Sequence, residues 1–300
     1  MIKTILVTTS GSATDQNVFA TAHMLARPFA AHLRFLHVHM APISAAAHVP
    51  HLEYAMGMAI SHTLEGLRQQ GNERSTSARE HFEAFCKTQH LPVRETAFCR
   101  AQEAMRGIPL ALEVVTASFA EVRDDPVGCL LRHAHHSDLV VVGRPRNRDH
   151  MPPNLIETLL QGSGRPIVIA TDSVPRSAIL TVIVAWKETP EAARALGAAM
   201  PLLKQAERVW LVTVPERGGP SKEVLEDLSC QLAWHGIDAE VRIMADTGPA
   251  ETLLALVAQE LEPDLRVAGG FGHGPLRECV FGGVTQSLIT HADCPVFLLH

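Results

Sequence analysis

Asp138-Leu-Val-Val-Val-Gly143 and Asp264-Leu-Arg-Val-Ala-Gly269 are two versions of one short phrase: an acid, a mostly apolar run and a glycine. Each leads, after a loop and a short amphipathic stretch, to a second apolar run that starts at proline, Pro166-Ile-Val-Ile-Ala170 and Pro295-Val-Phe-Leu-Leu299. Each half also opens on a matching run, Lys3–Val7 and Ile179–Val184. These runs are short, rich in Val, Leu and Ile and nearly free of polar alternation, as expected for parallel strands covered on both faces. A repeat of this kind sets the architecture before any single residue is weighed. Two copies of a β/α unit follow, joined by the polar stretch 171–177, Thr-Asp-Ser-Val-Pro-Arg-Ser.

Outward from the phrase, the second half alternates regularly. Strands are expected near 179–185, 208–214, 239–244, 264–269 and 295–299, with helices near 190–203, 221–235, 249–261 and 283–291. Thr189 suits the N-cap of the first of these helices, because its hydroxyl can accept an orphan amide, and Pro190 suits the first helical position. Ala192, Ala195, Leu196, Ala199, Leu202 and Leu203 then share one face. Alternating β and α elements with right-handed crossovers predict doubly wound parallel sheets. The domains are placed at 1–172 and 178–300. The first is longer, with an insertion at about 41–90 that holds an Ala-, His- and Pro-rich stretch and a long helix near 59–90. It is either a lid or a plain surface excursion.

Composition narrows the function classes. A chain of 300 residues fits two domains of roughly 150 residues. A net charge of −6 implies no basic face, so nucleic acid is not an expected partner. No apolar run approaches the roughly 20 residues of a membrane span, and the first residues read as a strand rather than a targeting peptide. Cys86, Cys99, Cys129, Cys230, Cys279 and Cys294 form no CxxC pair and read as reduced thiols of a cytoplasmic protein.

The segment that carries chemistry is Val267-Ala-Gly-Gly-Phe-Gly-His-Gly-Pro-Leu-Arg-Glu-Cys-Val-Phe-Gly-Gly-Val-Thr285, between a strand and a helix. Gly269 and Gly272 would let the backbone approach a phosphate; equally, they would make tight turns and allow helix–strand contact. Gly282, Gly283 and Val284 place consecutive amides at a helix N-terminus, where orphan donors and the helix dipole favour an anion. Thr285 adds a hydroxyl, and His273 is a candidate phosphate contact. In a doubly wound sheet this loop lies at the carboxyl ends of the strands, near the switch point where ligands bind.

Gly269-x2-Gly272-x9-Gly282, followed by Gly283-Val-Thr285, resembles the G-x2-G-x9-G-[ST] motif of the universal stress protein family. The flanking DLRVAG and HADCPVFLLH extend the resemblance, as do Val184–Arg194 and, in the first half, Ile5–Ser12. It covers nearly the whole chain as two tandem copies and is weakest over the insertion. It implies a Rossmann-like α/β fold with two five-stranded sheets of order 3-2-1-4-5, related by a pseudo-twofold, and an adenine-nucleotide pocket, ATP being the candidate ligand. Carried over by motif, Ala268, Gly269, Gly272, Gly282, Gly283 and Val284 would line the phosphate and ribose side. Ala185, Trp186 and Lys187 would sit by the base, with Val214 closing it. The resemblance also implies pairing of the two copies through Ile167–Ala170 and Val296–Leu299. These are apolar edges that need a partner in any case. A homodimer of chains is compatible with it.

Three departures stand out. The family's acid after the first strand is replaced by Ser10 in the first half and Lys187 in the second. Lys187 would serve phosphate or pair with Glu188 or Glu191 on the surface. Gly283 replaces a Ser or Thr. The first half has Gly143-Arg-Pro-Arg146 in place of the glycine loop, so its site is expected to be degenerate.

Other constellations carry less. His37 and His39 alternate on the second strand, with His48, His51 and His62 following in the insertion, but no metal-binding spacing joins them and no metal is expected. His133, His135 and His136 close a helix, where cations suit the dipole. Gln161-Gly-Ser-Gly-Arg165 precedes a strand, the wrong context for a nucleophile elbow. The resemblance to the universal stress protein family implies a non-catalytic stress-response or regulatory protein. The alternatives are an adaptor with a decayed nucleotide site and a slow ATP hydrolase, for which no catalytic base is visible.

Overall fold

The structure is a computed structural model that describes residues 1–40, 58–94, 114–144, 152, 154–214, 222–245, 247–270 and 282–300. The first half contains β1 (Thr4–Thr9), α1 (Asp15–Ala26), β2 (His32–Met40), α2 (Met58–Thr88), β3 (Thr116–Asp124), α3 (Pro126–Ala134), β4 (Leu139–Val142), α4 (Leu155–Gly162) and β5 (Ile167–Ile169). The second repeats the plan with β6 (Thr181–Ala185), α5 (Pro190–Leu203), β7 (Arg208–Thr213), α6 (Lys222–Trp234), β8 (Ala239–Ile243), α7 (Ala250–Leu261), β9 (Leu265–Gly269), α8 (Gly283–His291) and β10 (Val296–Leu299).

The ten strands run in the order β3-β2-β1-β4-β5-β10-β9-β6-β7-β8, so each half has the order 3-2-1-4-5. All pairings within a half are parallel. β5 and β10 pair antiparallel, Ile167 with Leu298, Val168 with Phe297 and Ile169 with Val296, a register symmetric about Val168 and Phe297. Two apolar edges thereby cover each other, and Ile167, Val168, Ile169, Val296, Phe297 and Leu298 are fully buried.

The repeated phrase has a mechanical role. Asp138 Oδ2 accepts the amides of Lys3 and Thr4 at 2.8 and 2.9 Å; Asp264 Oδ2 accepts those of Leu180 and Thr181, both at 2.8 Å. In each copy the acid before the fourth strand ties down the start of the first, and the apolar run then enters the same register, Ile5 beside Leu139 and Val182 beside Leu265.

Strand alternation divides the core into two faces. Val7, Val168, Val184, Val267 and Phe297 pack with α1 and α5 on one side. Leu6, Val140, Ile169, Ala268 and Leu298 pack with α3, α4 and α8 on the other. Both faces cross the seam between halves. The six apolar residues expected to share a face of α5 are all buried. Thr189 Oγ1 accepts the Ala192 amide at 3.3 Å, capping that helix, and Pro190 takes its first position.

α2 carries the latter part of the insertion. Phe82 and Phe85 on α2 meet Phe19, Phe35 and Phe119 in edge-to-face and tilted contacts, with ring centroids 5.0–6.2 Å apart. His37 and His39 are both buried; His37 Nδ1 donates to the Thr9 carbonyl at 3.0 Å. The His39 ring lies against Gly71 of α2, and its Nδ1 is buried without a partner. Burial, then the charges of Arg123 and His37, lower its pKa from 6.5, with Glu121 opposing. Burial likewise lowers His23 and His133. A lowered folded-state pKa means that the unfolded chain binds protons first on acidification. Stability is therefore full above about pH 6.5 and falls below it. Urea titrations at about pH 7.5 and about pH 5.5 should show this loss, and His39→Gln should reduce it without abolishing it. Equal slopes in the variant and the parent would remove His39 from the account.

Among the described residues no helix is long and apolar enough to cross a membrane, and no group of three or more His, Cys, Asp or Glu side chains is placed to hold a metal. His48 and His51, and the side chain of His62, lie outside what the structure describes.

Candidate functional site

The strand order reverses between β1 and β4 and again between β6 and β9, which places a crevice at the carboxyl ends of each pair. In the second half, Ala185 ends β6 between Val212 and Ala268. The Trp186 amide donates to the Val212 carbonyl at 2.8 Å, and the Trp186 carbonyl accepts from Thr213 Oγ1 at 2.9 Å. The strand end is thus tied to the neighbouring strand, with half-buried Val214 next in line. Ala185, Ala268 and Val284 belong to one apolar cluster. The indole of Trp186 packs with the cluster on the opposite face, its Nε1 buried without a partner. Lys187 is exposed.

Gly269 faces α5 closely. A Cβ there would lie 2.6 Å from the Ala192 nitrogen and 2.8 Å from the Glu191 carbonyl carbon. Of the two roles open to this glycine, helix–strand contact is the one its surroundings require. Gly270 continues onto β10, donating to the Leu299 carbonyl at 2.8 Å and accepting from His300 Nδ1 at 3.2 Å. Gly272 and His273 fall outside the described residues.

Across the crevice, α8 begins at Gly282, which caps it without any side-chain hydrogen bond. A Cβ on Gly282 would meet open space, whereas one on Gly283 would lie 3.4–3.5 Å from both carboxylate oxygens of Glu251 in the first turn of α7. Thr285 is buried. The second half therefore combines an open helix N-terminus with an acid at its side, and no pattern in the loop sequence pointed to that acid.

The first-half crevice is built differently. Asp15, first residue of α1 and 1% exposed, takes the Ser10 amide and hydroxyl on Oδ1, both at 2.8 Å, and the Gly11 amide on Oδ2 at 2.9 Å. His81 Nδ1 from α2 stands 3.4 Å from Oδ2. Gly11 has φ +76°, and a Cβ there would lie 2.3 Å from the Arg74 carbonyl oxygen, so the turn is pressed under α2. Sequence reading placed Ser10 where the family has its acid and passed over Asp15. The Ser-Gly-Ser-x-Thr-Asp run before the helix was the available signal. The remaining hollow, bordered by Thr8, Asp15, Gly143 and Arg144, is about 20 Å³, room for about one water.

In the stretch that stands where the glycine loop is expected, Pro145 and Arg146 lie outside the described residues, and Arg144 is engaged across the seam. Its guanidinium, 8% exposed, donates to the carbonyls of Thr290 and Ala292 at the end of α8 and pairs with Asp172 at 3.7 Å. A cation from the first half thus serves the C-terminal carbonyls and dipole of a helix in the second.

The sequence pattern of the universal stress protein family matches residues 1–160 and again 165–300. No curated protein matches. Among solved structures, a universal stress protein from Archaeoglobus fulgidus DSM 4304 superposes with a TM-score of 0.68 at 17% identity, covering 99% of this chain and 95% of that one. A second, from Pseudomonas aeruginosa UCBPP-PA14, gives 0.53 at 15% identity over 99% and 93%. A third, from Arabidopsis thaliana with AMP bound, matches 40% of this chain and 90% of its own at 20% identity, with a TM-score of 0.28, and carries no residue over. Two matches of one family pattern account for nearly all of the chain, and it belongs to the universal stress protein family, with two copies of the family's domain in tandem.

Proposed function

We propose that this is a non-catalytic, cytoplasmic stress-response regulator, with units at 1–172 and 178–300. Its second unit receives an adenine nucleotide, ATP first among candidates, or another phosphate-bearing anion, and the first unit is a structural partner through the β5–β10 seam. The observation that supports the ligand is the start of α8: an uncapped helix N-terminus at Gly282, beyond the adjacent ends of β6 and β9. α5, the helix that follows β6 at the same crevice, has its own Thr189 cap and offers no such opening. Homodimerisation of whole chains fits this reading and is open to sedimentation analysis.

A second reading, an adaptor whose nucleotide site has decayed, is favoured by the Glu251 carboxylate beside Gly283, which opposes a phosphate there. Titration calorimetry separates the two. Binding heat at millimolar ATP supports the nucleotide reading; its absence supports the adaptor. Gly282→Val places a side chain in open space and leaves the fold undisturbed, so it should abolish the heat. A variant that bound ATP normally would refute the site. Glu251→Gln removes a like charge worth about 1 kcal/mol and should tighten binding several-fold.

A further inference from the structure

The position on β9 that corresponds to Val140 on β4, two residues after the shared acid, is Arg266. Val140 is fully buried in the apolar core, and Arg266 is 7% exposed. Its Nε is buried without a partner, and among the described residues it makes no ion pair. The Cys294 thiol faces it: burial pushes that thiol up to about 11, the guanidinium pulling the other way. A buried cation with no counter-ion is destabilising, so its retention calls for a counter-charge from elsewhere.

Beside Arg266 opens a cavity of about 460 Å³ at the amino-terminal ends of β9 and β10, closed on one side by the linker at Thr171–Arg176. This is the edge of the sheet opposite the nucleotide crevice. The hollow on the other flank of Arg266, between α7 and α8, is about 40 Å³ and holds little beyond water. The larger cavity is bordered by Arg176, Glu262, Asp264, Arg266 and Asp293. Arg176 pairs with Glu262 at 2.8 Å and stands 3.5 Å from Asp264 Oδ1, while Asp264 Oδ2 holds the amides of Leu180 and Thr181. Arg176 is thus shared between Glu262 and Asp264, whose Oδ1 is buried without a hydrogen-bond partner; among the described residues, buried Arg266 and, at the exposed rim, Asp293 make no ion pair.

We propose that this cavity is a second ligand site, for a compact zwitterion with the chemistry of a free α-amino acid, its carboxylate toward Arg266 and its ammonium toward Asp293. The volume is in the range of small-molecule sites, and the two uncommitted charges set the ligand's polarity. The site is independent of nucleotide binding.

The test is thermal unfolding and calorimetry of the full chain with each of the common L-α-amino acids, with acetate and methylammonium as single-charge controls. At least one amino acid should raise the melting temperature saturably, with neither control matching it. Arg266→Met should lose the response. Asp293→Asn, at an exposed position where folding is not at issue, should weaken binding at least tenfold. Gly282→Val should keep the amino-acid response, which separates this site from the nucleotide crevice. Silence from every amino acid, a response that survives Arg266→Met, an affinity unchanged in Asp293→Asn, or acetate matching the best amino acid would each overturn the proposal.

Discussion

Phe297→Ala should lower the unfolding free energy by about 3–5 kcal/mol, the usual cost of removing a buried aromatic ring. Phe297 is fully buried on β10, paired with Val168 across the seam and with Val267 inside its own half. It belongs to an apolar cluster that includes residues of both halves. The cavity left by the ring therefore loosens the joint between the two copies, and urea unfolding should show both a lower midpoint and two separated transitions. A control sits at Trp234, 90% exposed, where alanine should change stability by no more than about 0.5 kcal/mol. A Phe297→Ala loss below about 1 kcal/mol would mean that the seam does not couple the halves.

Gly269→Ala should be nearly as costly, although it adds a single methyl. That methyl would sit 2.6 Å from the Ala192 nitrogen and 2.8 Å from the Glu191 carbonyl carbon, both backbone atoms of a capped first turn. A flexible side chain can swing aside, whereas a helix start held by Thr189 and Pro190 must move as a body. The expected loss is at least about 1–3 kcal/mol, the range for overpacking a tight core. Gly282→Ala, whose new methyl meets nothing within 4 Å, should lie within about 0.5 kcal/mol of the parent. Thermal unfolding of the two variants side by side is sufficient, and equal melting temperatures would refute the close approach at Gly269.

The contrast between these glycines shows where reading the chain runs out. Both stand in one motif, and spacing alone treats them alike. The neighbour that separates them, the first turn of α5, lies almost eighty residues earlier in the chain. Glu251 beside Gly283, Asp15 under the Ser10 turn and Arg144 at the end of α8 are further cases in which a side chain from a distant segment decides what a motif residue does.

What the amino-acid order determined unaided was periodic or local. The doubly written phrase, the apolar runs, the Thr189-Pro190 helix start and the shared face of α5 depend on backbone geometry with periods of two and 3.6 residues. Such periods can be read without knowing what lies opposite. Only the assembled fold decided which charges are matched. Arg144 and Arg266 look equally solvated as letters, yet one is spent on the carbonyls of a helix in the other half, and the other is buried with no ion pair among the described residues. Electrostatic partnership depends on distance through space, and in a sheet wound in the order 3-2-1-4-5 twice over, neighbours in space are seldom neighbours along the chain.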